Sequence, residues 1–267
     1  MSIENAASVC FIMKDAAFAA GDKLTARGQR PEVHQALLDK LLAGWFCGGG
    51  EDVMLWTDAL VAPMLARRDG DGYALAAYAG DTGGYGGPCF AACGTGGAAS
   101  EHGLFGACVA IAYLDGRQIQ AAVVYDPAHV ELFHAVRGLG AYLNGKRITP
   151  SFAKQLSGAH VSVGQAALRK GGSMRKLIAE AGHIRAGAAC ALELCHAAGG
   201  RTEAAVLCNE AFIDYTAGLL IAKEAGAVLM NGSGGPLDEL REYGERRDIA
   251  AACLSIAGEL ARLLSEN

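Results

Sequence analysis

Two apolar runs, residues 108–113 (CVAIAY) and 119–125 (IQAAVVY), flank the dipeptide Asp115-Gly116. An Asp-Gly pair between such runs signals a tight hairpin, because glycine takes positive φ at no steric cost. The middle of the chain is thereby committed to antiparallel sheet. Residues 131–136 extend it, and Leu143-Asn144-Gly145-Lys146 supplies a further turn.

Helices flank this sheet. Val9, Ile12, Met13 and Phe18 recur at helical spacing and predict a helix over 5–26. Pro31 opens a second over 31–43, and Thr57 or Asp58 caps a third over 57–68. Beyond the sheet, strands are expected at 160–163, 204–208, 227–230 and 249–252. Helices are expected at 172–181, 188–198, 216–225 and 256–264. Interleaved helices and strands, with antiparallel signals in the middle, indicate a layered α/β fold. No linker or internal repeat interrupts the pattern. One domain is expected, with lobes at about 1–150 and 151–267.

Composition narrows the function classes. Of 267 residues, 52% are hydrophobic and 19% charged, enough apolar material for a sizeable core. A net charge of -5 has the wrong sign for a general nucleic-acid binder. Nine cysteines without any CxxC spacing argue against zinc and for a reducing compartment. No basic n-region precedes the first apolar run, and no run reaches the roughly 20 residues that span a bilayer. A soluble, cytoplasmic protein with a small-molecule substrate is expected. Ten glycines fall within residues 80–106, which read as a loop that either meets a ligand or forms a lid.

Three later blocks, in order, resemble the inositol monophosphatase family. They are VVYDPAHVELFHAVRGLGAYLNGKRI (123–148), IRAGAACALELCHAAGGRTEAA (184–205) and IDYTAGLLIAKEAGAVLMNGSGGP (213–236). The resemblance implies a five-layer α-β-α-β-α sandwich, a homodimer, and Mg²⁺-dependent hydrolysis of small phosphomonoesters. It implies a metal cluster built from a G-E-E turn, a D-P-I-D-G-T loop and the Asp of W-D. Mg²⁺ requires hard oxygen donors in octahedral geometry, and two such ions stabilise attacking and leaving oxygens.

Carried onto this chain, the pattern puts Asp58 at the water-orienting Asp, with the hydroxyl of Thr95 as its partner. Asp81 stands at the ligand Glu, and Asp214 at the Asp of W-D. Gly94-Thr95 matches the end of the metal loop. Where the family has D-P-I-D, this chain has Phe90-Ala91-Ala92-Cys93, so two carboxylates are replaced. Thiolate is a soft donor that Mg²⁺ does not favour. Any remaining Mg²⁺ site would rest on Asp81 and Asp214, with Glu101 as a substitute. Substrate contacts are expected from Gly94 and from Gly187, Ala188 and Ala189, whose backbone N–H groups open a helix. Cys93, before Gly-Thr at an expected loop-to-helix junction, reads either as a nucleophile with His102 as base or as a small apolar filler. Asp214 alone reads as an N-cap, and within the matched block as an active-site position.

Three functions follow. One is an enzyme repurposed away from Mg²⁺-dependent ester hydrolysis, using Asp58, Asp81, Thr95, Asp214 and Cys93. Another is a weakened Mg²⁺-dependent phosphomonoesterase. The third is a non-catalytic binding or regulatory protein on the same scaffold.

Overall fold

The structure is a computed structural model that describes residues 3–25, 73–75, 88–95, 107–115, 118–187, 189–237 and 246–266. Helix α1 (Ile3–Thr25) comes first, followed by strands β1 (Tyr73–Leu75) and β2 (Pro88–Thr95). The expected hairpin is β3 (Cys108–Asp115) against β4 (Gln118–Asp126). Strands β5 (Glu131–Val136), β6 (Gly140–Leu143) and β7 (Lys146–Arg147) continue an antiparallel meander in the order β1 to β7. Asn144 and Gly145 both have positive φ, 48° and 78°, which is what a two-residue turn between β6 and β7 demands.

A second sheet has the order β11-β12-β10-β8-β9. It comprises β8 (His160–Gly164), β9 (His183–Gly187), β10 (Ala204–Ala211), β11 (Val228–Asn231) and β12 (Arg246–Ala252). Its helices are α2 (Gln165–Leu168), α3 (Ser173–Glu180), α4 (Cys190–Ala198), α5 (Phe212–Ala225) and α6 (Leu254–Ser265). Strand β8 pairs in parallel with both β9 and β10, whereas β12 runs antiparallel to β10 and β11.

Five layers follow from alternating burial. On β3, Ala110, Ala112 and Leu114 face a central cluster that also holds α4, α5 and the inner face of the second sheet, including Ala205, Leu207, Ile249 and Ala251. All nine residues of α4 are buried, as a helix between two sheets requires. Helix α1 covers the other face of the first sheet, and Gly21 and Phe18 rest on Tyr125. The far face of the second sheet is covered by α2, α3 and α6 through Ala167, Leu177, Ile256 and Leu260. The expected α-β-α-β-α sandwich is the observed architecture.

Several boundaries differ from expectation. Within 80–106, residues 88–95 are strand rather than loop, paired along their length with β3. The edge strand β9 was not anticipated, because its sequence HIRAG is largely exposed and carries little apolar signal. Helix α5 starts at Phe212 rather than 216, because β10 runs on to Ala211 and passes directly into it. The helices expected at 31–43 and 57–68 lie outside the described residues.

Candidate functional site

The parallel strands β8, β9 and β10 point the same way, so their C-terminal ends share one edge of the second sheet. Each delivers a helix there: Gly164 caps α2, Ala189 caps α4, and Ala211 caps α5. Ligands of α/β sheets bind outside such strand ends. Gly164 and Gly187 are direct partners in the β8–β9 register. Each glycine makes room for an acidic side chain, Glu210 over Gly164 and Glu193 over Gly187.

A bulge aims an acidic side chain at this spot. The β10–β12 register shifts between Leu207 and Glu210. Asn209, with φ 56°, leaves the ladder. Its N–H donates to Asp248 Oδ1 at 2.8 Å, and its carbonyl accepts from Arg246 Nε at 3.0 Å. Glu210 then lies over Gly164, where a Cβ would sit 3.0 Å from Oε1.

Glu210 and Asp214 flank the junction of β10 and α5. Burial pushes the Glu210 carboxyl up to about 7, with Asp214 and Asp248 adding to the rise and Arg246 opposing it. Burial also raises Asp214, again against Arg246. A first-turn carboxylate is ordinarily favoured by the helix dipole. Here desolvation outweighs it. A group near 7 can hold or release a proton at neutral pH.

Asp214 is the third residue of α5 and does not cap it, since Ala211 holds that position without a side-chain bond. The N-cap alternative is thereby removed. Asp214 shares a helix face with Gly218, four residues on, and Gly218 rests against Ala191 at the start of α4. Three expected residues, Gly187, Ala189 and Asp214, therefore gather at one sheet edge together with Glu210.

Behind them a buried carboxylate anchors the edge. Glu193 of α4 accepts from Ser162 Oγ at 2.6 Å and from Arg185 Nη2 at 3.1 Å, and His196 Nδ1 lies 3.6 Å away. Burial would raise its pKa, but His196, Ser162 and Arg185 together hold it below the ordinary value. The Glu193 side chain packs on Gly187, where any Cβ would overlap it at 2.2 Å.

Other expected residues are placed only in part. Cys93, Gly94 and Thr95 form the end of β2, paired with Ala110, Val109 and Cys108. Cys93 is thus in a strand and not at the expected loop-to-helix junction. Strand β2 packs against α5, the helix that carries Asp214. The side chains of β2, and all of Asp58, Asp81, Glu101, His102 and Ala188, lie outside the described residues. The described donors do not make the family's metal cluster. No group of three His, Cys, Asp or Glu able to hold a metal occurs among the described residues.

Sequence reasoning missed Glu210, Glu193 and Arg185. Glu210 fell between the expected strand end at 208 and helix start at 216.

A cavity of about 750 Å³ opens on the other side of the second sheet, beside β10 and β12. Among the described residues, no helix is long and apolar enough to cross a membrane.

The family model of the inositol monophosphatase family matches residues 102–267. Inositol monophosphatase 1 of Solanum lycopersicum is 37% identical over 145 residues, covering 51% of this chain and 53% of that protein. A protein of Salmonella typhimurium named Nus factor SuhB is 35% identical over 133 residues, covering 48% and 50%. The chain thus spans about half the length of the curated relatives it matches. The crystal structure of the extragenic suppressor protein suhB from Bartonella henselae superposes with a TM-score of 0.74 at 25% identity, covering 97% of this chain and 98% of that one.

Proposed function

We propose, from the premise that the chain belongs to the inositol monophosphatase family, that it is an enzyme performing acid–base chemistry on a small metabolite at the Glu210–Asp214 edge. The observation that carries this reading is the Glu210 carboxyl, raised to about 7 beside Asp214 and lying over Gly164 at the end of β8. In this reading the family's complete Mg²⁺ cluster is not the source of catalysis, because Phe90 and Cys93 occupy two of its carboxylate positions.

The roles follow from the chemistry. Glu210 gives a proton to a leaving oxygen or takes one from an attacking hydroxyl, a contribution on the order of 10²–10⁴ in rate. Burial, with the neighbouring Asp214 adding to it, keeps Glu210 protonated near neutrality. Asp58 and Thr95 orient water, as the family pattern implies. The N–H groups at Gly187 and Ala189 hold the negative part of the substrate. Cys93 serves as filler in this scheme.

The test is a metabolite screen with and without Mg²⁺ and chelator, on wild type, Glu210→Gln and Asp214→Asn. The expected result is turnover that survives chelation, depends on a group near 7, and is lost in Glu210→Gln. Mg²⁺-stimulated phosphate release abolished by chelator would overturn it in favour of a phosphomonoesterase using Asp81, Asp214 and Glu101. Ligand binding without turnover, unchanged by Asp214→Asn, would instead support a binding protein.

A further inference from the structure

The apolar lining of the cavity of about 750 Å³ comes mostly from the outer face of the second sheet, with Leu207 and Ile249 of the central cluster at its rim. Val206, Cys208, Ala250, Met174 and Leu264 line it, and all belong to the outer cluster beneath α3 and α6. Asp214 stands on α5, which packs on the inner side. The volume falls within the range of small-molecule sites, about 300–1,000 Å³.

Its charge is the opposite of the chain's. Among the described lining residues, Lys170, Arg246 and Arg247 stand with one carboxylate, Asp248, in a protein of net charge -5, while Arg246 also faces Glu210 and Asp214 at the neighbouring edge. Neutral hydrogen-bonding groups, Ser173, Asn231 and Ser233, complete the polar part. Concentrating cations in a concave wall of an acidic protein raises the local concentration of anions. Guanidinium groups match phosphate oxygens with paired donors. At Gly171 and Gly172 an added Cβ would meet nothing within 4 Å, so the backbone entering α3 stands open to the cavity.

The single carboxylate is already engaged. Asp248 pairs with Lys170 and accepts from the Asn209 backbone. The Lys170 and Asp248 side chains are 46% and 29% exposed, so water screens their attraction and an incoming anion can compete for the ammonium.

We propose that this cavity binds a phosphate-bearing small molecule through Lys170, Arg246 and Arg247. The apolar floor receives the organic part, and the cations take the phosphoryl group. Asn209, bonded to both Asp248 and Arg246, joins the cavity to the bulge that aims Glu210. Occupancy is therefore felt at the candidate active site through one backbone residue.

The test is titration of the full chain with inorganic phosphate and with adenosine monophosphate, by calorimetry and by amide chemical shifts. Saturable binding with Kd of about 1 mM or tighter is expected for phosphate, and tighter binding for the nucleotide. Lys170→Ala should weaken phosphate binding by about tenfold or more. Asp248→Asn removes the competing charge while keeping the acceptor for Asn209, and should tighten it. Absence of saturable binding overturns the proposal. So does binding that is insensitive to both Lys170→Ala and Asp248→Asn.

Discussion

Glu210 and Gly164 are in contact range of a kind that only glycine allows at the end of β8: a Cβ there would lie 3.0 Å from Glu210 Oε1. The Glu210 carboxyl is the flexible end of a side chain, so it would yield before the backbone does. Gly164→Ala is therefore expected to fold with little loss of stability. It should shift the acidic limb of any pH–rate profile, because the carboxyl is pushed from its buried position. A large fall in Tm with an unmoved pH profile would show that the contact is merely structural.

Glu210 should also make the fold sensitive to alkali. Its carboxyl rises from 4.5 to about 7 on folding, so the native state binds the proton more tightly than the unfolded chain. The stability it contributes is complete below the unfolded value of 4.5 and is lost as pH rises through about 7. Glu210→Gln should match wild type at low pH and exceed it in Tm at about pH 8. Equal melting curves at both pH values would contradict the buried placement of this group.

Glu193 has the opposite sign. Its neighbours hold it below 4.5 despite burial, so its contribution is present above the unfolded value and is lost as pH falls through the folded one. Ser162 is fully buried and donates to Glu193 at 2.6 Å. Ser162→Ala should cost about 1.5–3 kcal/mol in urea unfolding at neutral pH, as expected for a bond to a charged group. The loss should shrink under acid. A pH-independent cost would assign the effect to packing rather than to the carboxylate.

The helices between the sheets are fitted at Gly218. A Cβ there would lie 2.7 Å from the Ala191 carbonyl oxygen and 2.9 Å from its Cα. Gly218→Ala gains helix propensity but must separate α4 from α5, with a net cost of about 1–3 kcal/mol. Because Asp214 sits one turn earlier on that face, substrate KM should also rise. Stabilisation by this substitution would mean that the helices are more loosely packed than the contact implies.

Much of the fold was legible in the chain. Residues 131–136 matched β5 without adjustment, the β3–β4 hairpin formed where it was expected, and the Asn144-Gly145 turn joins β6 to β7, because turn chemistry and two-residue alternation are local. Helix α6, with Ile256, Leu260 and Leu263 at helical spacing, was legible for the same reason. Strand β9 and the start of α5 were not. HIRAG has no apolar run, and it is strand because β8 lends it a parallel edge. Phe212 and Tyr215 belong to α5 because both sheets bury them.

At the site, the sequence by itself determined the family, and with it the interest of Asp214, Gly187 and Ala189. It also carries the expectation, from the resemblance, that Phe90 and Cys93 stand at two of the family's loop carboxylates. Tertiary structure alone decided that Glu210 joins Asp214. That required a bulge at Asn209, held by Asp248 and Arg246 from a strand 37–39 residues away. It also decided the carboxyl's proton affinity and the cationic cavity. Burial and electrostatic potential are sums over neighbours brought together by folding, and no local stretch of chain contains them.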